Sequence, residues 1–433
     1  MEEIQKDRAW IELNMDNLEH NINQIKKVIP KECEIMAVVK ANAYGHGIVQ
    51  ISKKLNEIGI DNFAVATLSE GIILRENNIK GNILILGYTD IDDIKYVQKY
   101  DLIQTIIDYD YAEKINNVKL EKKLKVHVKI NTGMNRIGES YTNIGKLIKI
   151  YQMDNLEILG TFTHLCSSDS LDESDIEFTK KQIENFYKCT ENIKSLGYDI
   201  GKIHIQASYG ILNFPELNCD YVRPGIIMYG AFSSKNDKTK INIDLKPALS
   251  LKARVTSVKQ IDAGQTVSYG RTFKANKTMK IATVSIGYAD GYPRNLSNKQ
   301  AKVLVNNEYA TIIGRICMDQ LVIDVTNIAN VKQGDIVTLI GDEPEISVEN
   351  IAELSGTITN EILCRIGARI ERFWYAMFHL GPGLFCSKIK KFLDIWCRFS
   401  FVILAIGAGS FLPFFILAIG AGSFLPFFTA TNL

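Results

Sequence analysis

Between residues 34 and 230, short apolar runs alternate with longer stretches of helical period, and the alternation repeats eight times. EIMAVVK (34–40), NFAVAT (62–67), NILILG (82–87), LIQTII (102–107), KVHVKI (125–130), LEILGTFTH (156–164), KIHIQAS (202–208) and the RPGIIMYG region (223–230) read as strands. HGIVQISKKLNEIG (46–59) shows the texture in between, with apolar residues at helix spacing. Strands separated by helices in this way build either a (β/α)8 barrel or a doubly wound sheet. The count of eight favours the barrel.

After about residue 245 the texture changes. ALSLKARVTSVKQI, KIATVSIGYA, KVLVNN, YATIIGRI, QLVIDVT and DIVTLIG alternate apolar and polar residues and are joined by Gly, Asn and Asp turns. They predict a mainly β second domain, with one short helix over 346–356. The linker is the polar stretch near 231–246. The expected division is a barrel over residues 1–240, a β domain over 241–374 and a tail over 375–433. In that tail ILAIGAGSFLPFF stands at 403–415 and again at 416–428, and no charged residue follows Arg398. The uncharged stretch is long enough for one membrane helix and follows Lys388, Lys390, Lys391 and Arg398, but each copy carries Gly-Ala-Gly and a Pro. It reads either as a membrane tether or as a duplicated extension outside the folded protein.

Fifty Lys and Arg against 49 Asp and Glu leave a net charge of +1, so no global field favours nucleic acid or anionic lipid. The eight cysteines form no CxxC pair and no Cys/His cluster at zinc spacing, so no metal site is expected and reduced thiols are. MEEIQKDRAW has no apolar run of a secretory signal. These features together predict a cytoplasmic protein.

Lys40 ends an apolar strand and opens KANAYGHG. That is the C-terminal mouth of a barrel strand, where barrel enzymes keep their reactive groups. Apolar surroundings disfavour its ammonium, which helps an amine form a Schiff base; a solvated loop lysine is the alternative. Gly45 and Gly47, just before a helix, are also placed to let backbone approach an anion.

AVVKANAYGHG resembles the pyridoxal 5'-phosphate (PLP) lysine motif of alanine racemases. KINTGMNRIG (129–138), THLCSSD (163–169), RPGIIMYG (223–230), VSYGRTF (267–273), GYADGYPR (287–294), GRICMDQ (314–320) and EILCRIGARIERF (361–373) continue the likeness in order, over about residues 8–374. The resemblance implies a PLP-binding barrel, a β domain and a homodimer with shared active sites. Its substrate would be a small amino acid, interconverted between L- and D-alanine for peptidoglycan.

The resemblance also implies residue roles. Lys40 would hold PLP and act as base on one face of the substrate. Tyr269, from the partner subunit, would act on the other. Arg223 would face the pyridine nitrogen, supported by His164. Tyr44, Ser208 and Gly225 would bind the phosphate. Arg136 would meet the cofactor's phenolic oxygen and the substrate carboxylate, steadied by Lys129, which is carbamylated in some members. Met318 would contact substrate, and Cys317, Asp319 and Tyr288 would line the partner-side entrance.

The chain departs from the family pattern at several positions. Ala207 precedes Ser208 where Asn is common, and Asn131 replaces an Asp. Asn360 stands where alanine racemases typically have a tyrosine near the substrate methyl, a change shared with serine/alanine racemases of the vancomycin-resistance type. It implies room for serine. PLP-dependent decarboxylases share the barrel, but VSYG and GRICMDQ fit racemases better. Non-enzymatic PLP-binding proteins are single barrels without the β domain.

Overall fold

The computed structural model describes residues 6–375. The tail carrying the tandem repeat lies outside them, and with it the tether reading. Among the described residues no helix is long and apolar enough to cross a membrane.

Seven of the apolar runs, with a short strand that ends where the eighth run begins, form a closed ring of parallel strands. The chain begins with β1 (Ala9–Asn14), then enters the ring with β2 (Glu34–Val38), β3 (Asn62–Val65), β4 (Asn82–Ile85), β5 (Ile103–Ile106) and β6 (Leu124–Asn131). A two-residue strand, β7 (Glu139–Ser140), extends the end of β6. The ring continues through β8 (Leu156–Phe162), β9 (Lys202–Ala207) and β10 (Tyr221–Arg223), which pairs back onto β2. Helices intervene between successive strands, the longest being Glu173–Ser195. The ring strands are almost wholly buried, which is why they read as continuous apolar runs.

Two expectations are corrected here. RPGIIMYG is not itself the eighth strand: β10 ends at Arg223, and Ile226–Tyr229 is a 3-10 turn. Pro224 has no N–H for the ladder and so ends it. The start of the chain, placed in the barrel by the sequence division, is also shared differently, because β1 pairs with strands of the second domain.

The second domain is built on β11 (Leu249–Ile261), thirteen residues whose first half alternates buried Leu249, Leu251, Ala253 and Val255 with partly exposed neighbours. A small ribbon follows, β12 (Thr266–Val267) paired with β13 (Phe273–Lys274). Then come β14 (Met279–Val284), β15 (Lys302–Val305), β16 (Glu308–Ile313), β17 (Leu321–Asp324) and β18 (Ile336–Ile340). These run in the order β14-β17-β16-β15-β18-β11, and β14 pairs back to β11, closing a second, antiparallel ring. Outside that ring β1 lies antiparallel to β11, and the last strand, β19 (Glu371–Tyr375), lies parallel to β1.

Candidate active site

The carboxyl ends of the ring strands surround a cavity of about 320 Å³. It is lined by Lys40 after β2, Lys129 in β6, Phe162 and His164 at the end of β8, Ser208 after β9, and Arg223 and Gly225 at the end of β10. Tyr44, Arg136 and Asn360 also line it. The structure therefore gathers nine of the sequence-expected residues around one opening. Its walls carry four basic side chains, Lys40, Lys129, Arg136 and Arg223, against one acid, Asp169. Such a cavity favours a ligand with more than one negative charge.

KANAYGHG folds into a left-handed turn. Ala41, Asn42, Ala43 and Tyr44 all have φ between 51° and 54°, followed by Gly45 at 80° and Gly47 at 101°. Each non-glycine residue there costs roughly 1–2 kcal/mol, so the turn persists only because its surroundings hold it. Asn42 Oδ1 accepts from Ile48 N at 2.8 Å, and Glu70 Oε1 accepts from Ala41 N at 2.6 Å. His46, buried beside Tyr229, bonds the carbonyls of Ala43 and Tyr44 through Nδ1 at 3.1 and 3.0 Å. A Cβ on Gly45 would overlap the carbonyl oxygen of Leu363, so the glycine's role is to let another backbone approach.

Burial holds the Lys40 amine below the ordinary lysine range, and the charge of Arg136 adds to the effect. Lys129 is driven further, to about 7, first by burial and then by Arg223 and Arg136. Its Nζ lies 5.2 Å from the ring centre of Phe162, and the Arg223 guanidinium lies 5.3 Å from the same ring.

Arg223 is fully buried and, among the described residues, meets no carboxylate. It donates to His204 Nδ1 (2.7 Å), Thr163 O (2.8 Å) and Ile205 O (3.0 Å), with His164 Nδ1 at 3.4 Å. Burial lowers its pKa to about 10, which still leaves it charged at neutral pH. A guanidinium only donates, so His204 Nδ1 accepts and the proton of its neutral ring sits on Nε2. Nε2 then donates to His127 Nδ1 at 2.8 Å. Burial pushes both histidines well down, His127 to about 3, in keeping with neutral rings. His204 is thus the nearer partner of Arg223 and His164 the farther. His204, His127 and Phe162 were missed from the sequence, where the one signal was the histidine inside KVHVKI and inside KIHIQAS.

At one end of the cavity Ser208 Oγ accepts from Gly225 N at 3.0 Å, leaving its own proton for an anion. A Cβ on Gly225 would come within 2.6 Å of Tyr44 Oη, so the glycine makes room for that hydroxyl. Two hydroxyls at one end, an amine after β2 and a buried guanidinium at the end of β10 suit PLP. Its phosphate, aldehyde and pyridine nitrogen would meet them in turn.

The other five expected residues do not line this cavity. Tyr269 is 70% exposed on a turn between β12 and β13, and Met318 and Tyr288 are also exposed, at 53% and 41%. The turn is stiff: Ser268 Oγ donates to Arg315 O at 2.5 Å and lies 3.3 Å from Cys317 Sγ. The amides of Tyr288 and Ala289 donate to the carbonyls of Cys317 and Met318, both at 3.0 Å. Asp319 pairs with Arg369, which also reaches the buried Asp290. These residues form one exposed face of the second domain. Among the described residues no cluster of His, Cys, Asp or Glu could hold a metal ion.

Comparison with known proteins places this arrangement. Residues 13–233 match the profile of the alanine racemase N-terminal domain, and residues 248–374 match that of the C-terminal domain. An amino-acid racemase of Enterococcus faecalis is 45% identical over 367 residues, 84% of this chain and 51% of that protein. The chain thus spans about half the length of that relative. Alanine racemase 1 of Clostridium acetobutylicum is 41% identical over 84% of this chain and 95% of its own length. Among solved structures, alanine racemase from Clostridium difficile 630 superposes with a TM-score of 0.81 at 36% identity, covering 87% of this chain and 97% of that one. The Bacillus anthracis alanine racemase with bound L-Ala-P gives 0.78 at 34% identity over 85% and 95%. With both family domains matched in order along the described fold, the chain belongs to the alanine racemase family.

Proposed function

We propose that this chain interconverts L- and D-alanine with PLP, supplying D-alanine for peptidoglycan, as a homodimer whose active sites draw on both subunits. The observation that carries the reading is the pairing of a desolvated Lys40 amine with a buried, carboxylate-free Arg223 across one cavity. Lys40 would hold the cofactor, with Tyr44, Ser208 and Gly225 on its phosphate and Arg223 at its ring nitrogen. PLP supplies an electron sink that makes the α-proton of an attached amino acid removable.

The side chains then divide the work. Arg136 orients the substrate carboxylate through its planar fork, with Lys129 behind it. Lys40 Nζ takes or returns the α-proton on one face, and Tyr269 Oη of a second copy does so on the other; inversion needs this opposed pair. The exposure of Tyr269 on a stiff turn, away from its own chain's cavity, supports service to a partner. Met318, Cys317, Asp319 and Tyr288 share that face and would line the substrate's path. Arg223, charged at neutral pH, would keep the cofactor's ring nitrogen unprotonated and so restrain side reactions.

A second reading, racemisation of serine as well, rests on Asn360. Its Oδ1 is buried in the cavity wall without a hydrogen-bond partner, and a serine hydroxyl would supply one. The test is a chiral assay of purified protein with L-alanine and L-serine, beside Lys40→Ala and Tyr269→Phe. D-product from the parent and its loss in both variants are expected. No D-product from either substrate would remove the reading, and full activity in Lys40→Ala would remove the mechanism.

A further inference from the structure

Arg372 spends its whole guanidinium on backbone. It leaves β19 of the second domain and donates from Nε to Gly45 O at 2.8 Å. One terminal nitrogen donates to Ile370 O at 2.8 Å and the other to Ile366 O at 3.2 Å. Gly45 closes the left-handed turn that begins after Lys40, and Ile366 lies just past the helix Thr359–Cys364, which carries Asn360. A planar fork with divergent donors can hold two such segments at a set spacing, which a lysine cannot. The bare Cα of Gly45 against Leu363 O shows how closely they are drawn together.

The other end of the turn has its own fastener. Glu70, on the helix Leu68–Glu76, accepts Ala41 N on one carboxylate oxygen and Ala66 N, just beyond β3, on the other at 2.8 Å. Thus the peptide that follows Lys40 is fixed by an anion from the barrel, and the turn's exit is fixed by a cation from the β domain.

We propose that Arg372 and Glu70 are positioning residues, which hold the strained turn so that Lys40 keeps its place at the cavity and Asn360 keeps its distance from it. The proposal rests on the reading of Lys40 as the cofactor lysine. The second domain is then part of the cofactor site of its own chain, besides whatever it offers a partner. It also follows that the wall meeting the substrate side chain is set in register with the amine by one guanidinium.

The test uses Arg372→Met, which keeps the stem and removes the fork, Arg372→Lys, which keeps the charge, and Glu70→Gln. In apoprotein, hydrogen exchange by mass spectrometry should rise at least tenfold in the peptide spanning 40–47 and stay unchanged in the other ring strands. PLP affinity, read by titrating the cofactor's visible absorbance, should fall about tenfold or more. Arg372→Lys should rescue neither, and Arg372→Met should also alter the alanine-to-serine kcat/KM ratio. Exchange and PLP affinity within twofold of the parent, in a folded Arg372→Met, would overturn the proposal. So would a uniform rise in exchange across the barrel, which marks general stability alone. If Arg372→Met does not fold, Arg372→Lys and Glu70→Gln carry the same two outcomes. Lys40→Ala is the control: if borohydride still fixes PLP covalently to that variant, it is the reading of Lys40 that fails.

Discussion

Adding one methyl group at Gly225 should displace the hydroxyl that closes the phosphate end of the cavity. A Cβ there would stand 2.6 Å from Tyr44 Oη and 3.2 Å from its Cζ, whereas ordinary contact begins near 3.4 Å. The hydroxyl must therefore retreat by about 0.8 Å. It cannot swing far, because Tyr44 is buried with its ring centre 5.1 Å from that of Tyr229. A hydrogen bond of roughly 2.7 Å stretched by this amount reaches about 3.5 Å and ceases to be one. Losing a bond to a charged acceptor costs about 1.5–3 kcal/mol, or roughly 10- to 100-fold in PLP affinity. Reconstituting the apoprotein of Gly225→Ala with graded PLP, followed by absorbance, measures this directly. Tyr44→Phe should lose a similar amount, and the double variant little more than either, since both changes remove the same bond. An affinity for Gly225→Ala within threefold of the parent, or losses that multiply in the double variant, would refute the argument.

Three further outcomes are expected. Asn360→Tyr should lower the serine-to-alanine ratio of kcat/KM by about tenfold, from the lost acceptor and the lost space together; an unchanged ratio contradicts the serine reading. Lys129, near 7 when folded and about 10.4 when unfolded, binds fewer protons in the native state between those values, so stability should rise with pH across that window. That gain, on the order of 4 kcal/mol, should be missing in Lys129→Met when denaturation midpoints at pH 7 and 10 are compared. A chain ending at Tyr375 should melt like the whole protein, whereas one ending at Ile370 loses β19 and Arg372 and should melt several degrees lower.

The barrel was legible because parallel strands covered on both faces must be apolar throughout, and that leaves seven uninterrupted runs, with the eighth strand just ahead of RPGIIMYG. β1 was not, because AWIELN gains its place through partners such as Ala253 and Glu371, which are remote in sequence. The cavity residues followed from motifs whose likeness lies along the chain. Glu70 was hidden in TLSE, which has the form of a helix capping box. Thr67 does accept Glu70 N at 3.3 Å, but the carboxylate turns to Ala41 and Ala66 instead of returning to the cap. Arg372 has no local mark of this role, since the carbonyl that ties it to the turn, Gly45 O, lies 327 residues away. Tyr269 was legible through its motif, while the fold leaves it exposed and outside its own chain's cavity.

The parallel pairing of β1 with β19 has a consequence for how the protein is made. Ile11 lies beside Arg372, so β1 leaves the ribosome with its parallel neighbour about 360 residues behind it. At roughly 5–20 residues per second, β1 waits on the order of 20–70 seconds for that edge to be covered. Its antiparallel partner β11 arrives earlier, but only after the whole barrel has emerged. The barrel can therefore close during synthesis, while the sheet that supplies Arg372 is completed only after translation has passed residue 375. A nascent chain halted before β19 would then hold a formed barrel whose Lys40 turn lacks its Arg372 fastener and binds PLP more weakly.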